Sequence, residues 1–313
     1  MLPWLRSPNL YFLLFLAISL ILLRTPLHAL LQLSSQDDRY SHLIFMPFVS
    51  LGLMYLERRQ IFYQSHACPH VGMPLLVLSS VFYGTAHWGS SFLTPTDRLS
   101  VSIFAILLIW AAGFVCCYGI QSFKAALFPF SILLLAVPMP LSVVESVESV
   151  LQRASAEVAY GLFRVTATPV FREGLTFSLP GVVIEVAREC SGIRSFTALC
   201  IITLLMSHFF LRSNWSKACL VMLIIPIAIF KNAVRITTLS WLGIYVSMDF
   251  LTGPLHHRGG PLFSLLAIAL LIPMMLVLQR FADKRPANRR VPLKDQSRYP
   301  SPLRGLNRRL QGR

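Results

Sequence analysis

The chain has 313 residues, 55% of them hydrophobic and only 13% charged, whereas a soluble domain carries about 25% charged residues. These side chains cannot give a soluble fold of this length a polar coat, which excludes a large soluble helical core. The net charge of +15 suggests nucleic acid, but much of the excess lies after the last apolar run, from Arg280 to Arg313, where only Phe281 and Tyr299 could stack on bases. Such a basic tail beside a membrane fixes topology and binds anionic lipid heads, so membrane lipids are expected partners and nucleic acid is not.

Eight apolar runs follow one another, at about 9–24, 41–57, 72–88, 100–119, 124–141, 191–211, 217–235 and 261–279. Each approaches the roughly 20 residues that cross a bilayer, which predicts an all-α integral membrane protein of about eight transmembrane helices. The first run follows a short start containing Arg6, has no small-residue cleavage site, and reads as a spanning helix, not a removed signal. Residues 1–279 form the membrane domain, and 280–313, rich in Arg, Pro and Asn, a disordered cytoplasmic tail.

Orientation follows from Lys and Arg in the short loops. With the tail in the cytoplasm, the inside loops hold Arg58, Arg59, Lys124, Arg212 and Lys217, and the N-terminus is also inside. The outside loops hold Arg39 beside Asp37 and Asp38, and Arg98 beside Asp97. The long segment 142–190 falls outside too. Its first half is amphipathic, with Val143, Val147, Val150 and Leu151 on one side and Glu145, Glu148, Gln152 and Arg153 elsewhere, the pattern of a helix at the interface. Residues 170–188 are β-branched and punctuated by Gly and Pro, which predicts a short extended or hairpin-like element. The stretch from Leu239 to Phe250 is too short for a ninth span and reads as a continuation of the seventh helix or as an interfacial helix.

The six cysteines are scattered, with no CxxC pair and no zinc-type spacing, so no metal and no cofactor is implied. Cys116, Cys117, Cys200 and Cys219 sit in apolar runs as small core residues. His66, Cys68 and His70 form an HxCxH in an inside loop, read as a polar cytosolic loop in preference to a metal site.

Three polar clusters remain. Glu189-Cys190-Ser191-Gly192-Ile193-Arg194 opens the sixth span, Lys231-Asn232-Ala233-Val234-Arg235 closes the seventh, and Leu255-His256-His257-Arg258-Gly259-Gly260 precedes the eighth. The seventh run climbs from Lys217 to Arg235, about 27 Å at 1.5 Å per residue, close to one hydrocarbon thickness. Topology therefore puts Cys190, Arg235 and His256 near one outer face. A thiol at a helix start has its pKa lowered by the backbone N–H groups and the dipole. His256 is placed to exchange the proton, Arg235 to stabilise an oxyanion or hold a substrate carboxylate, and Arg194, one turn from Cys190, to add charge. Each residue alone has an ordinary structural reading, as core thiol, lipid-facing Arg, interhelical Asn232 or loop His; their conjunction on one face points to chemistry.

At these clusters the chain resembles the exosortase/archaeosortase family, whose signature is Cys-Ser-Gly, then Asn-x-x-Arg, then a His followed by glycine. Here these stand as Cys190-Ser191-Gly192, Asn232-x-x-Arg235 and His256-x-x-Gly259-Gly260, with Phe263 after. The lead-in LPGVVIEVARECSG and the turn Pro138-Met139-Pro140 fit as well, and the likeness runs from about 136 to 263. The motif spacing selects His256 over His257. The resemblance implies a sortase-like cysteine protease or transpeptidase on an unrelated fold. Cys190 would be the nucleophile, His256 the general acid/base and Arg235 the clamp, with Asn232, Arg194, Ser191 and Gly192 supporting. It would cut exported proteins at a C-terminal signal of motif (PEP-CTERM type), helix and basic end, at the periplasmic face of the inner membrane.

Two other readings compete. A polysaccharide-export or flippase-type protein would line a path with intramembrane charges, of which the spans hold few. A lipid-linked glycosyltransferase would use outward carboxylates, and Glu145, Glu148, Glu157, Glu173, Glu185 and Glu189 are available.

Overall fold

The computed structural model describes residues 8–63, 65–88, 94–186, 193–252 and 259–283. The basic tail beyond 283, Cys190 with Ser191 and Gly192, and His256 and His257 lie outside the described residues.

The described chain is mostly helix. In order it forms α1 (Pro8–Leu22), α2 (Arg24–Gln36), α3 (Met46–Leu56), α4 (Arg58–Ile61), α5 (Pro69–Trp88), α6 (Pro95–Ala125), α7 (Leu127–Leu133) and α8 (Leu141–Val165). Strands β1 (Phe171–Glu173), β2 (Thr176–Leu179) and β3 (Val182–Glu185) follow. Helices α9 (Ile193–Phe210), α10 (Asn214–Met222), α11 (Ile224–Tyr245), α12 (Asp249–Thr252) and α13 (Gly260–Asp283) complete it.

Each predicted apolar run falls on helix, but the helices are more broken than the runs suggest. Four are long and apolar enough to cross a membrane: Pro95–Ala125, Ile193–Phe210, Asn214–Tyr245 and Leu262–Phe281. The number rises to six if each of two bent pairs is one span. In the first pair α1 and α2 meet at 73°, where Pro26 in the first turn of α2 has no N–H to continue the ladder. In the second, α7 with its 3₁₀ extension Leu134–Ala136 turns by 90° into α8, because Pro138 and Pro140 disfavour helix at the residues before them. The run 41–57 contains only the 11-residue α3, preceded by a 3₁₀ turn at Asp38–Tyr40.

Segment 142–168 is a helix, α8, but its buried face is not the valine stripe. Val143 and Val150 are exposed, whereas Val144, Glu148, Leu151, Gln152, Ser155, Ala156, Ala159 and Phe163 are buried. These recur every three to four residues along one stripe, which packs on α11 and so accepts two polar residues in place of the valines. Residues 171–185 form more than a hairpin: β1–β2–β3 is an antiparallel meander, with Phe171 opposite Ser178 and Phe177 opposite Ile184. Residues 239–245 continue the seventh helix, α11, and after a break at 246–248 the short α12 follows.

α6 breaks where the run 100–119 ends. Gly119 has φ +86°, and an added Cβ would lie 2.0 Å from the His66 carbonyl oxygen. His66 thus seats its backbone on α6, and among the described residues no three His, Cys, Asp or Glu side chains converge as metal ligands.

Residues assigned to one side of the membrane meet at one end of the bundle. At one end Arg194 pairs with Asp38 and Arg39 lies beside Glu148. At the other, His208 Nε2 lies 2.5 Å from Glu57 Oε1, the His208 ring stacks on Phe128, and Gln279 donates to the Phe210 carbonyl. Gly119→Ala is expected to lower the thermal midpoint in detergent by the equivalent of about 1–3 kcal/mol, from strained backbone alone. Gly52→Ala, inside α3 and with nothing within 4 Å of its added Cβ, should hold or slightly raise the midpoint, since Ala favours helix over Gly.

Candidate active site

The site end is built on three helices. α9 and α10 are joined by the short link 211–213, so the chain returns antiparallel through α10 and α11. The Gln279–Phe210 bond puts the last turn of α13 beside the last turn of α9, so α13 runs parallel to α9. Leu199, Ala228 and Ala267 belong to one buried cluster where the three helices pack. Counted back from the Gln279–Phe210 bond, Gly260 on α13 and Ile193 on α9 are nineteen and seventeen residues away, and Lys231, one turn before Arg235 on α11, is bonded to Ser195 in the first turn of α9. The start of α9, the Arg235 turn of α11 and the start of α13 therefore share one end and one level.

The chain on either side of the Cys190 segment is fixed to that level. On the entry side, the Val186 amide donates to the Leu175 carbonyl at 3.0 Å, and Gln152 Nε2 donates to the Val186 carbonyl. The buried Val186 side chain joins Ala156, Ala159 and Phe163 of α8, Phe177 and Leu179 of the sheet, and Ala233 and Ile236 of α11 in one cluster. Ala233 and Ile236 flank Arg235 in sequence. On the exit side, Ser195 in the first turn of α9 accepts a 2.5 Å hydrogen bond from Lys231 Nζ. Lys231 stands four residues before Arg235 and so on the same helix face.

Arg235 is not at a helix end. α11 continues ten residues past it, because the sequence to Tyr245 holds no Pro and its apolar side chains Trp241 and Ile244 pack under α8 and the sheet. Trp241 Nε1 donates to Thr168 just beyond α8 at 3.0 Å. Asn232 is 1% exposed and Lys231 2%. Arg194 is bound 3.0 Å from Asp38, with its side chain 66% exposed. Arg39 grips Asp37 through paired hydrogen bonds, Nε at 3.0 Å and Nη2 at 2.6 Å. The Tyr40 hydroxyl donates to the Met139 carbonyl at 3.0 Å, tying this turn to the start of α8.

The structure thus brings Arg235, Asn232 and the start of α9 to one level, and it gives Lys231, Gln152 and Glu148 places that the sequence did not assign, adding Ser195. Ser195, Gln152 and Lys231 hold the flanks of the Cys190 segment, and Glu148 is buried one turn from Gln152 on the same face of α8. A signal for the α8 pair was present: Glu148 and Gln152 share the i, i+4 stripe of Val144 and Leu151.

A bundle of long apolar helices with a small three-stranded sheet packed at one end defines a polytopic membrane protein. A family model described as transmembrane exosortase matches residues 33–273, and the chain belongs to that family. Its members are cysteine-protease-type transpeptidases that act on exported proteins with C-terminal sorting signals. No curated protein and no solved structure matches the chain.

Arg39 holds the Asp37 carboxyl below its ordinary range, through the side-chain hydrogen bonds first and the backbone bond and charge after, against burial, which raises it. A depressed carboxyl contributes stability above its unfolded pKa of about 3.9, and that contribution is lost as pH falls through the lower folded value. Asp37→Asn, which keeps an oxygen for the Arg39 amide, is expected to lower the thermal midpoint at pH 7. The difference from wild type should close as the pH falls below the ordinary carboxylate range and Asp37 is protonated in the folded protein, as read by melting in detergent across pH.

Proposed function

We propose that this chain is a membrane cysteine protease or transpeptidase that cleaves C-terminal sorting signals of exported proteins, with Cys190 as nucleophile, His256 as general acid/base and Arg235 as oxyanion or substrate clamp. The observation that carries this reading is the double anchoring of the Cys190 segment. Its entry at Val186 packs with Ala233 and Ile236, and its exit at Ser195 is bonded to Lys231, both on the turns of α11 that carry Arg235. The start of α13, immediately after His256, shares that level. A nucleophile on a short segment held at both ends meets the need of acyl transfer for fixed geometry.

In the proposed sequence the Cys190 thiolate attacks the scissile carbonyl, and the developing oxyanion is stabilised by Arg235. His256 gives the thiol proton to the leaving amine, and the thioester is then resolved by water (protease) or by an acceptor amine (transpeptidase). Asn232, Arg194, Ser191 and Gly192 support the site. The segregation of loop charges favours an inner-membrane topology of eight spans with both termini cytoplasmic and this end at the periplasm. A substrate whose helix crosses the membrane, with its basic end inside, would present its motif at this end. The PEP-CTERM type of signal fits that arrangement.

The polysaccharide-export and glycosyltransferase readings predict that Cys190→Ala is tolerated. The test is processing of a co-expressed substrate with a basic-ended C-terminal helix, at matched membrane levels. Cys190→Ala is expected to lower processing by at least about 10³-fold and Arg235→Ala by about 10²-fold. His256→Ala should abolish it, while His257→Ala retains it. Unchanged processing in Cys190→Ala would overturn the assignment.

A further inference from the structure

Lys231 is among the largest fully buried side chains of the protein. A buried ammonium is costly unless paired, and the usual partner is a carboxylate. Here its bonded partner is the neutral hydroxyl of Ser195, at 2.5 Å, and among the described residues it makes no ion pair with any carboxylate. On α11 itself the next charge is Arg235, one turn on. On α9 the charge near this end is Arg194, committed to Asp38. On α8, Glu145 is exposed, Glu148 lies beside Arg39, and Glu157 is paired with Arg172. The described first turns of α13, from Gly260 to Ile268, carry no ionisable side chain. Glu185 of β3 and Asp249 of α12, the other elements packed on α11 that carry carboxylates, are exposed; Lys231 and Arg235 thus share one helix face, and the described carboxylates on the elements around them are exposed or beside other arginines.

A neutral hydroxyl orients the ammonium without cancelling its charge. Ser195 also belongs to the first turn of α9, the end of a helix dipole that favours negative charge. A buried excess of positive charge is stabilised by an anion that forms there, and the proposed reaction forms two, a thiolate and a tetrahedral oxyanion. We infer that Lys231, held by Ser195, is a positioning and electrostatic residue of this reaction, keeping the start of α9 on α11 and favouring the thiolate of Cys190. This rests on the proposed role of Cys190.

The experiment follows alkylation of Cys190 by iodoacetamide against pH in the full-length protein in detergent, read by mass spectrometry of the Cys190 peptide, alongside processing kinetics. In wild type the alkylation midpoint should lie below the free-thiol value of about 8.5. Lys231→Met should raise it by about one unit or more and lower kcat at neutral pH by roughly 10-fold with KM little changed. Ser195→Ala, which leaves the charge but frees it, should give a smaller shift in the same direction, and Lys231→Arg should restore part of the rate. A structural lysine would instead change the thermal midpoint and leave the pH profile in place. An unchanged alkylation midpoint in both Lys231→Met and Ser195→Ala would overturn the inference, even if processing fell. Processing that survives Cys190→Ala would overturn the catalytic reading separately, since the alkylation profile does not depend on turnover.

Discussion

Inside a bundle this apolar there is little water to solvate a polar side chain, so each polar group that is buried needs a partner within the protein. That requirement organises the site end. Gln152 reaches the carbonyl of Val186, Lys231 reaches Ser195, and Trp241 reaches Thr168. Each bond joins two different parts of the fold: α8 to the strand exit, α11 to α9, and α11 to the end of α8. The polar contacts thus act as crosslinks among elements that van der Waals packing alone would leave free to slide.

The small sheet gains its meaning from these crosslinks. Three strands of three or four residues could not stand alone. Here Phe177 and Leu179 are buried against Phe163 of α8, and the second half of α11 supports the same cluster through Ile236 and Ile244. The sheet therefore delivers the chain to Val186 at a fixed place.

Outside this end the same economy holds with different chemistry. Small residues let helices approach: Gly72 lies against Cys116, and Gly113 against the ring of Phe15. At the opposite end Glu57 and His208 form a polar contact shielded by the Phe128 ring. The fold thus confines its buried charges mainly to its two ends, as expected where the middle lies in hydrocarbon.

Much of this was legible in the sequence, because hydropathy and loop charge act locally. The apolar runs lie mainly on helices, and the Gly and Pro punctuation after 170 marks extended chain. The Cys-Ser-Gly, Asn-x-x-Arg and His-x-x-Gly-Gly motifs in order point to the family that the match over residues 33–273 shows. The breaks were harder to read, since whether Pro26 bends or ends a helix depends on what packs beside it. The buried face of α8 was misjudged because the valine stripe and the Glu148–Gln152 stripe are adjacent, and hydropathy favours the first. Only the tertiary structure could choose the second, by supplying the Val186 carbonyl to Gln152 and the flat surface of α11 to Ala156 and Ala159. The same holds for Lys231: sequence gives it a place one turn before Arg235, but its burial and its bond to Ser195 exist only where α9 returns against α11, across a separation that no local pattern encodes.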